Sequence, residues 1–441
     1  MSQLNSTVDP TPDVPPAPAT PVRRRGRAVA ALGFSQAVDN SEGGIVNSFF
    51  PLIRNAFGLD YGALGLLSAL SKFARMIFGP LWAFAADKYG RKRVLFIVTG
   101  VWGLFTIAAG FAQSYPVLVA LYAISVIGTV ASEPIINGLL PDLFRSSERG
   151  KAYGLVRGIG AGLGIVIGPL IGQFGANPDG WRWALWCMGA VSVLSGLLIL
   201  LWVPKPAQKT VSIVDDAEAG VFRLRDAVKL FRIPTFALMA LMLPLVTSLI
   251  LLAFYATFLV DARGFNVVEG TYVMAVFSVG GMISSVLGGL LGDLFARRFG
   301  PTGRITLMQL YLITFAGAVY LATQIDFGNK PMHYLATFVL GLVFSIGFSG
   351  CVLPMVSTVV PKQLGASAFA LLFSFIQGAL TAGLSMIMGQ LADVFGLERT
   401  FLYLVVLPYL LNAVLWFAFY KTYPRDVARY GTRDEETADL R

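Results

Sequence analysis

The sequence is poor in charge, in histidine and in cysteine. Asp, Glu, Lys and Arg make up only 13% of its 441 residues, about half of the usage that soluble domains show. The two cysteines, Cys187 and Cys351, both lie in apolar runs, so the sequence supports neither a disulfide framework nor a metal cluster. Because His333 is the single histidine, carboxylates would have to carry any protons that move through the protein.

Catalytic motifs are absent from the sequence as well. No nucleophile pairs with a histidine, no set of side chains has metal-ligand spacing, and no glycine-rich loop is suited to phosphate. An enzyme is therefore not expected, and neither is a cofactor; the energy source that fits such a chain is a proton gradient.

Long apolar runs take the place of charge. Apolar residues form 56% of the chain, and we count twelve runs of about 20 residues along it. A helix of that length spans the hydrocarbon core of a bilayer, which is about 30 Å thick. A backbone in lipid must satisfy its own hydrogen bonds, and the runs are too long for barrel strands, so each run predicts a helix. The sequence predicts an all-α membrane protein with twelve transmembrane helices.

The basic residues predict the orientation of these helices. The net charge is +9, and most of the 34 Lys and Arg fall in loops on one side of the membrane if both termini share that side. Cytoplasmic loops carry such an excess. We therefore expect a multi-pass protein of the cell membrane with both termini in the cytoplasm and with no nucleic-acid partner.

The chain divides into two halves with six spans each. In chain order we predict a disordered Pro-rich cytoplasmic leader (1–27), a first six-helix bundle (28–203), a cytoplasmic linker (204–234), a second six-helix bundle (235–420) and a cytoplasmic tail (421–441). The halves repeat weakly, since Asp87 and Asp293 follow the second and the eighth span in similar contexts. Repeated six-helix halves are typical of transporters, whose substrate site lies near mid-membrane between the halves. We expect a monomer.

A motif after the second span carries a family resemblance. The segment A-F-A-A-D-K-Y-G-R-K-R (83–93) resembles the loop 2–3 motif of the major facilitator superfamily, and G-L-L-G-D-L-F-A-R-R (289–298) is similar to a second copy. The resemblance implies two pseudo-symmetric six-helix bundles. It also implies a cytoplasmic latch that joins helices 2 and 11 in the outward-open state, made by Asp87, Arg91 and Lys92, with Asp293 and Arg297 as the second-half copy.

A second motif lies on the fifth span. G-I-V-I-G-P-L-I-G-Q (164–173) resembles the antiporter motif of the same superfamily through Gly164, Gly168, Pro169 and Gly172. Small residues would let helices approach closely, and the proline would bend the span. The resemblance favours export, whereas a plain packing face would have the same composition.

Six charged residues fall inside spans of the first half: Asp39, Glu42, Lys72, Arg75, Glu133 and Arg157. At 1.5 Å of rise per residue, Asp39 matches Arg75 in depth and Glu42 matches Lys72, which predicts two ion pairs. The second half offers only uncharged polar groups, such as Tyr255 and Gln377. With the three bases, these two form the predicted substrate site. Buried pairs stabilise little, so the charges indicate function more than stability.

Glu133 is the first candidate for the proton carrier, because no base lies at its own depth. Asp39 is the second, freed when Arg75 binds an anionic headgroup, and Glu42 is the third. Asp39 in A-V-D-N and Glu133 in S-E-P resemble acids of the Spinster-like lysolipid transporters within the superfamily.

The sequence therefore leads to three functional hypotheses. The first is a proton-coupled secondary transporter that works by alternating access and exports an organic amphiphile, such as a drug, a lysolipid or a lipophilic metabolite. The second is proton-coupled import of an organic anion held by Arg75 and Arg157. The third, from another class, is a non-transporting receptor or scaffold on the same fold. The partners are thus a small or lipid-like substrate, protons and the bilayer.

Overall fold

The computed structural model describes residues 22–144, 146–205, 229–361 and 364–430. Within these ranges all regular structure is helical and no strand occurs. The all-α fold class predicted from the apolar runs is confirmed. Residues 1–21 of the predicted leader, 206–228 of the linker and 431–441 of the tail lie outside the described residues, so these parts stay predictions. Residues 22–27, predicted to be disordered, are helical instead, because α1 begins at Val22.

The helices account for twelve spans. Ten stretches of the described residues are long and apolar enough to cross a membrane. One of these, Val267–Gln324, holds two helices that meet at the short turn Gly300–Thr302. The first helix, Val22–Phe57, adds the twelfth span and is less apolar because it carries Asp39 and Glu42.

In chain order the spans are α1 Val22–Phe57, α2 Tyr61–Tyr89, α3 Arg91–Gly110, α4 Tyr115–Leu143, α5 Ser146–Gly172, α6 Gly180–Trp202, α7 Pro234–Arg263, α8 Val267–Phe299, α9 Gly303–Gln324, α10 Lys330–Val359, α11 Ser367–Phe395 and α12 Leu397–Tyr430. We call the face that holds the start of α1 and the end of α12 the inner face, and the opposite one the outer face.

Glycines let helices approach closely within each half. A Cβ on Gly100 of α3 would lie 3.1 Å from the Cα of Gly196 on α6. In the second half, a Cβ on Gly280 of α8 would lie 2.7 Å from the carbonyl oxygen of Phe338 on α10. In lipid such close backbone packing, rather than the hydrophobic effect, supplies the attraction between helices.

The two halves meet near the outer face. A Cβ on Gly65 of α2 would lie 2.6 Å from the carbonyl oxygen of Ser385 on α11, and Gly172 of α5 packs directly against Thr271 of α8. In the described part of the chain, every hydrogen bond between the halves lies at the outer helix ends. The space between the halves is therefore closed at the outer face, and we call this conformation inner-open.

The glycines of α5 provide a stability test. Alanine at Gly172 would overlap the Thr271 side chain, whose hydroxyl is held by the Val268 carbonyl, whereas alanine at Gly164 would meet nothing within 4 Å. We expect Gly172→Ala to cost about 1–3 kcal/mol, as overpacking does. We expect Gly164→Ala to be neutral or slightly stabilising, because alanine favours the helix. Thermal unfolding of both variants in one detergent measures the difference, and equal midpoints would contradict this packing.

Candidate functional site

Helix α1 has two functional faces. Asn40, Ser41 and Gly44 line a cavity between the halves. Asp39 and Glu42 point the other way, into the first bundle, and are only 5% and 4% exposed. The two acids predicted to lie in the cavity therefore lie behind its wall.

Glu42 is held by hydroxyl groups from three other spans. Thr106 of α3 and Ser125 of α4 both donate to its Oε1, the latter at 3.3 Å, and Ser192 of α6 lies beside it. Its other oxygen, Oε2, has no hydrogen-bond partner among the described residues. No cation contacts this carboxyl group in that part of the chain.

Asp39 has a similar environment one turn nearer the inner face. The Ser35 hydroxyl lies 3.4 Å from its Oδ2, Ser132 of α4 lies beside it, and its Oδ1 has no partner among the described residues. The charged group nearest to it is Glu42, another acid. Each acid is thus buried with one carboxylate oxygen unpartnered among the described residues, a position in which an unpaired charge is costly.

The predicted ion pairs are wrong. Arg75 pairs with Glu133 of α4 at 3.2 Å instead of with Asp39, and both side chains are about half exposed, at 56% and 49%. The premise that Glu133 has no base is wrong for the same reason. The prediction matched residues by their depth along the spans, whereas the direction in which each side chain points decides the partner. Because charged groups in spans face water rather than lipid, we place this pair on the wall between the halves.

Two cations remain without an acid. Neither Lys72 nor Arg157 makes an ion pair with the described residues. Lys72 is partly exposed, lies near the like charge of Arg75, and shares a helix face with Gly65 and Met76, which both contact α11. It therefore lies where the two halves face each other.

Arg157 lies about one turn of α5 nearer the inner face than Gly160 and Ala161, which line the cavity. It is exposed and lies on the same face of α5 as Gly164 and Gly168, toward the inner end. Gly164 and Gly168 follow Arg157 by seven and eleven residues, and these spacings place the three residues on one face of the helix. The guanidinium is thus placed to meet a molecule that enters from the inner face.

The cavity has a volume of about 400 Å³ and lies between α1, α5, α6 and α8. Its walls are mainly apolar, with a few hydroxyl and amide groups, and its lining includes Ile45, Phe49, Met188, Met274, Met282, Asn40, Ser41, Ser48 and Ser278. Flexible thioethers adapt to ligands of irregular shape. Such a cavity suits the apolar part of a small molecule.

The antiporter-like motif forms part of this wall. A Cβ on Gly164 or Gly168 would meet nothing within 4 Å, so these two glycines make room instead of bringing helices together. Pro169 also lines the cavity. Only Gly172 packs tightly against another helix, as the motif predicts.

The two polar residues predicted from the second half lie differently. Tyr255 is 1% exposed, and its hydroxyl bonds that of Thr337 at 2.7 Å inside the second bundle, so it does not reach the cavity in this conformation. Gln377 is partly exposed and precedes Gly378, which faces Met76 of α2. It lies near the α2–α11 contact.

The predicted latch residues of the first half bond within that half. Asp87 accepts from Arg91 at 2.8 Å, Arg91 also pairs with Asp142 at 2.9 Å, and Lys92 donates to the Leu200 carbonyl at 2.8 Å. None of them contacts the second half in this inner-open conformation, so a latch of the outward-open state stays a prediction.

The second copy behaves in the same way. Asp293 pairs with Arg304 of its own half at 3.1 Å, and Arg297 is exposed. The repeat seen in the sequence is therefore a repeat of local structure at the inner ends of α2 and α8.

Two sets of residues were missed by sequence reasoning. The hydroxyls around Glu42 come from three separate helices, and no spacing in the sequence links them. Arg54 and Asp261, which join the halves at the outer face, resemble ordinary loop charges. Only the packing of the helices identifies either set.

The comparisons with known proteins agree with this architecture. Residues 31–384 match the family model described as Major Facilitator Superfamily. The probable sulfoacetate transporter SauU of Cupriavidus necator is 27% identical over 306 residues, which cover 67% of this chain and 70% of that protein. Protein spinster of Drosophila melanogaster is 26% identical over 199 residues, only 43% of this chain and 32% of that protein.

A solved structure shares the fold over nearly the whole chain. It is a crystal structure of a bacterial homolog to the human lysosomal transporter Spinster, in an inward-facing and occupied conformation. The TM-score is 0.77 at 18% identity, with 93% of this chain and 99% of that chain covered. With twelve helical spans in two halves and a family match over most of its length, the chain belongs to the Major Facilitator Superfamily of membrane transporters.

Proposed function

We propose that this transporter moves an organic anion with an apolar group together with a proton, in the same direction. One observation carries the proposal: among the described residues, two buried acids have no cation beside them, while two cations on the faces of α2 and α5 that turn toward the second half have no acid. The charges of the first half thus form two sets. Asp39 and Glu42, the proposed proton-binding set, lie behind the cavity wall formed by α1, and Lys72 and Arg157, the proposed anion-binding set, lie on the side that faces the second half.

The charge balance couples the two ligands. Arg75 and Glu133 neutralise each other, so Lys72 and Arg157 give the site two positive charges when Asp39 and Glu42 are protonated. Loss of both protons would cancel these charges. Electrostatic attraction in a site of low dielectric constant is strong, so protonation favours an anion and an anion favours protonation.

Asp39 is the acid that we assign as the proton carrier. It neighbours Asn40 on the cavity wall and lies beside Ser132, which precedes the paired Glu133. Glu42 lies one turn farther from the inner face and is enclosed by hydroxyl groups of three other spans, so protons from the inner face reach it less readily. This order reverses the ranking expected from depth, in which Glu133 came first.

The apolar walls of the cavity indicate the rest of the substrate. A carboxylate or sulfonate at Arg157 would leave the remainder of the molecule against Met188, Met274 and Phe49, while Lys72 adds its positive charge from the α2–α11 side. The relative SauU is named for sulfoacetate, a small organic anion. A larger apolar group, as in an arylalkanoate or a lysolipid, would occupy more of the cavity.

The direction follows from the coupling. If the positive-inside rule holds, the inner face is cytoplasmic, and a proton gradient directed into the cell drives anion uptake across the cell membrane. Export of an amphiphile in exchange for protons is the second candidate, favoured by the antiporter-like glycines that line the cavity. Exchange of that kind needs proton and substrate to compete, whereas Asp39 points away from the cavity.

Proton coupling is tested with Asp39→Asn, which keeps the size of the side chain and removes its titration. In proteoliposomes we expect an imposed inward pH gradient to accelerate wild-type uptake of sulfoacetate or 3-phenylpropionate. We expect Asp39→Asn to lose that acceleration and to retain exchange at equal pH, which needs no net proton movement.

Glu133→Gln is the matched control, because that acid is paired with Arg75 and its side chain is about half exposed. It should keep its response to the pH gradient, with altered substrate affinity. The assignment fails if Glu133→Gln loses the response while Asp39→Asn keeps it. Stimulation of wild-type export by an inward pH gradient would favour the antiport candidate instead.

Anion binding is tested with Lys72→Gln. A hydrogen bond to a charged group contributes about 1.5–3 kcal/mol, so we expect KM for the transported anion to rise about tenfold or more. Lys88→Gln, near the inner end of the same helix, removes an identical charge outside the site and should leave KM unchanged. Equal effects of the two substitutions would mean that only the overall charge matters.

A further inference from the structure

The last turns of α12 are packed firmly onto the inner side of the second half. The segment Phe419–Tyr430 contacts the start of α7, the inner end of α10 and the turn between α8 and α9. Phe419 and Tyr423 are buried in these contacts, and the Tyr420 hydroxyl bonds to that of Thr306 on α9 at 2.7 Å. One face of the segment is therefore fixed by its own half, and the other face is free to meet something else.

The single acid of this segment is turned toward the packed face. Asp426 is 5% exposed, and its carboxylate accepts from the backbone N–H of Thr235, in the first turn of α7, at 2.8 Å. The first N–H groups of a helix have no partner inside it and carry a partial positive charge, so this carboxylate caps α7. Its negative charge is thereby used inside the second half and does not reach the free face.

Three bases form the free face, and we call them the basic stripe: Lys421, Arg425 and Arg429. Successive members are four residues apart, which places all three on one side of the helix. All three are exposed, and none makes an ion pair with another residue that the structure describes. The stripe therefore presents three positive charges within about 12 Å along the helix axis.

The basic stripe continues a lipid-facing surface of the same helix. Val414 is 61% exposed and Ala418 is exposed, and they precede Lys421 by seven and three residues on the same face. Arg399 is exposed at the outer end of α12, and about 33 Å of helix separates it from Lys421. Since the hydrocarbon core is about 30 Å thick, the bases begin at the depth of the lipid headgroups of the inner face.

We propose that the basic stripe binds anionic phospholipids of the leaflet at the inner face. The phosphate groups lie against Lys421, Arg425 and Arg429, and the acyl chains lie along Val414 and Ala418. Complementary charge supports this occupant, because Lys and Arg close to an anionic membrane surface are attracted to it. Their long side chains also let the charged ends reach the headgroups while the stems stay near the lipid. The site involves neither the substrate nor the proton, so it stands apart from the proposed transport function.

A fluorescent label beside the stripe tests lipid binding at this site. On a background with Cys187→Ser and Cys351→Ala, the substitution Val414→Cys places the label on the lipid-facing side of α12. In phosphatidylcholine bilayers, quenching by brominated phosphatidylglycerol and by brominated phosphatidylcholine gives the ratio of their binding constants next to the label. We expect a ratio of about ten or more for the full chain with the stripe intact.

Arg425→Gln should lower this ratio about fivefold, the factor that one cation near an anionic surface contributes. Arg425→Lys keeps the charge and should keep the ratio. Adding Lys421→Gln and Arg429→Gln to Arg425→Gln should bring the ratio to about one, because no positive charge then remains on the stripe.

Arg399→Gln is the matched control, because it removes the same charge from an exposed position at the outer end of the same helix. It should leave the ratio unchanged. The proposal is overturned if the ratio is near one with the stripe intact, or if Arg399→Gln lowers it as much as Arg425→Gln. A ratio that rises above one only after removal of residues 431–441, which contain four acids, would assign the stripe to the chain's own tail and would overturn the proposal too.

Discussion

An ionised carboxylate in a dry protein interior needs a cation or a proton, and α1 supplies two such groups without a cation. Asp39 and Glu42 are enclosed by Ser35, Thr106, Ser125 and other hydroxyl groups, none of which carries charge. Hydroxyls reduce the cost of burial but do not cancel it, so a proton is the remaining means of neutralisation. Much of the proposed chemistry depends on this constraint, because it leaves the cations of the first half free.

Helix α1 separates the buried acids from the cavity between the halves. Asp39 and Asn40 are adjacent in the chain, yet one points into the bundle and the other into the cavity, because successive side chains on a helix are about 100° apart. A change in the charge of Asp39 therefore acts across the thickness of one helix. Neither ligand has to occupy the site of the other, as the proposed movement of both in one direction requires.

Much of the architecture could be predicted from the sequence, because the length and polarity of a segment decide whether it spans a bilayer. The helical spans and the set of charged residues inside them followed from this reasoning. The ion pairs did not, since Asp39 and Arg75 turn toward different neighbours, Ser35 and Glu133. The prediction that Tyr255 belongs to the substrate site was wrong for the same reason, because its hydroxyl bonds to Thr337 inside the second bundle. Rotation of a helix about its axis depends on its packing partners, which no single segment reveals.

Infrared spectroscopy measures directly whether the buried acids of α1, Asp39 and Glu42, hold protons at neutral pH, as proposed. The carbonyl stretch of a protonated carboxyl group is resolved from that of a carboxylate. We predict that the wild type in proteoliposomes at pH 7 shows this band, that Asp39→Asn and Glu42→Gln each remove part of it, and that Glu133→Gln leaves it unchanged. A wild-type spectrum without the band, or a band removed by Glu133→Gln alone, would contradict the account.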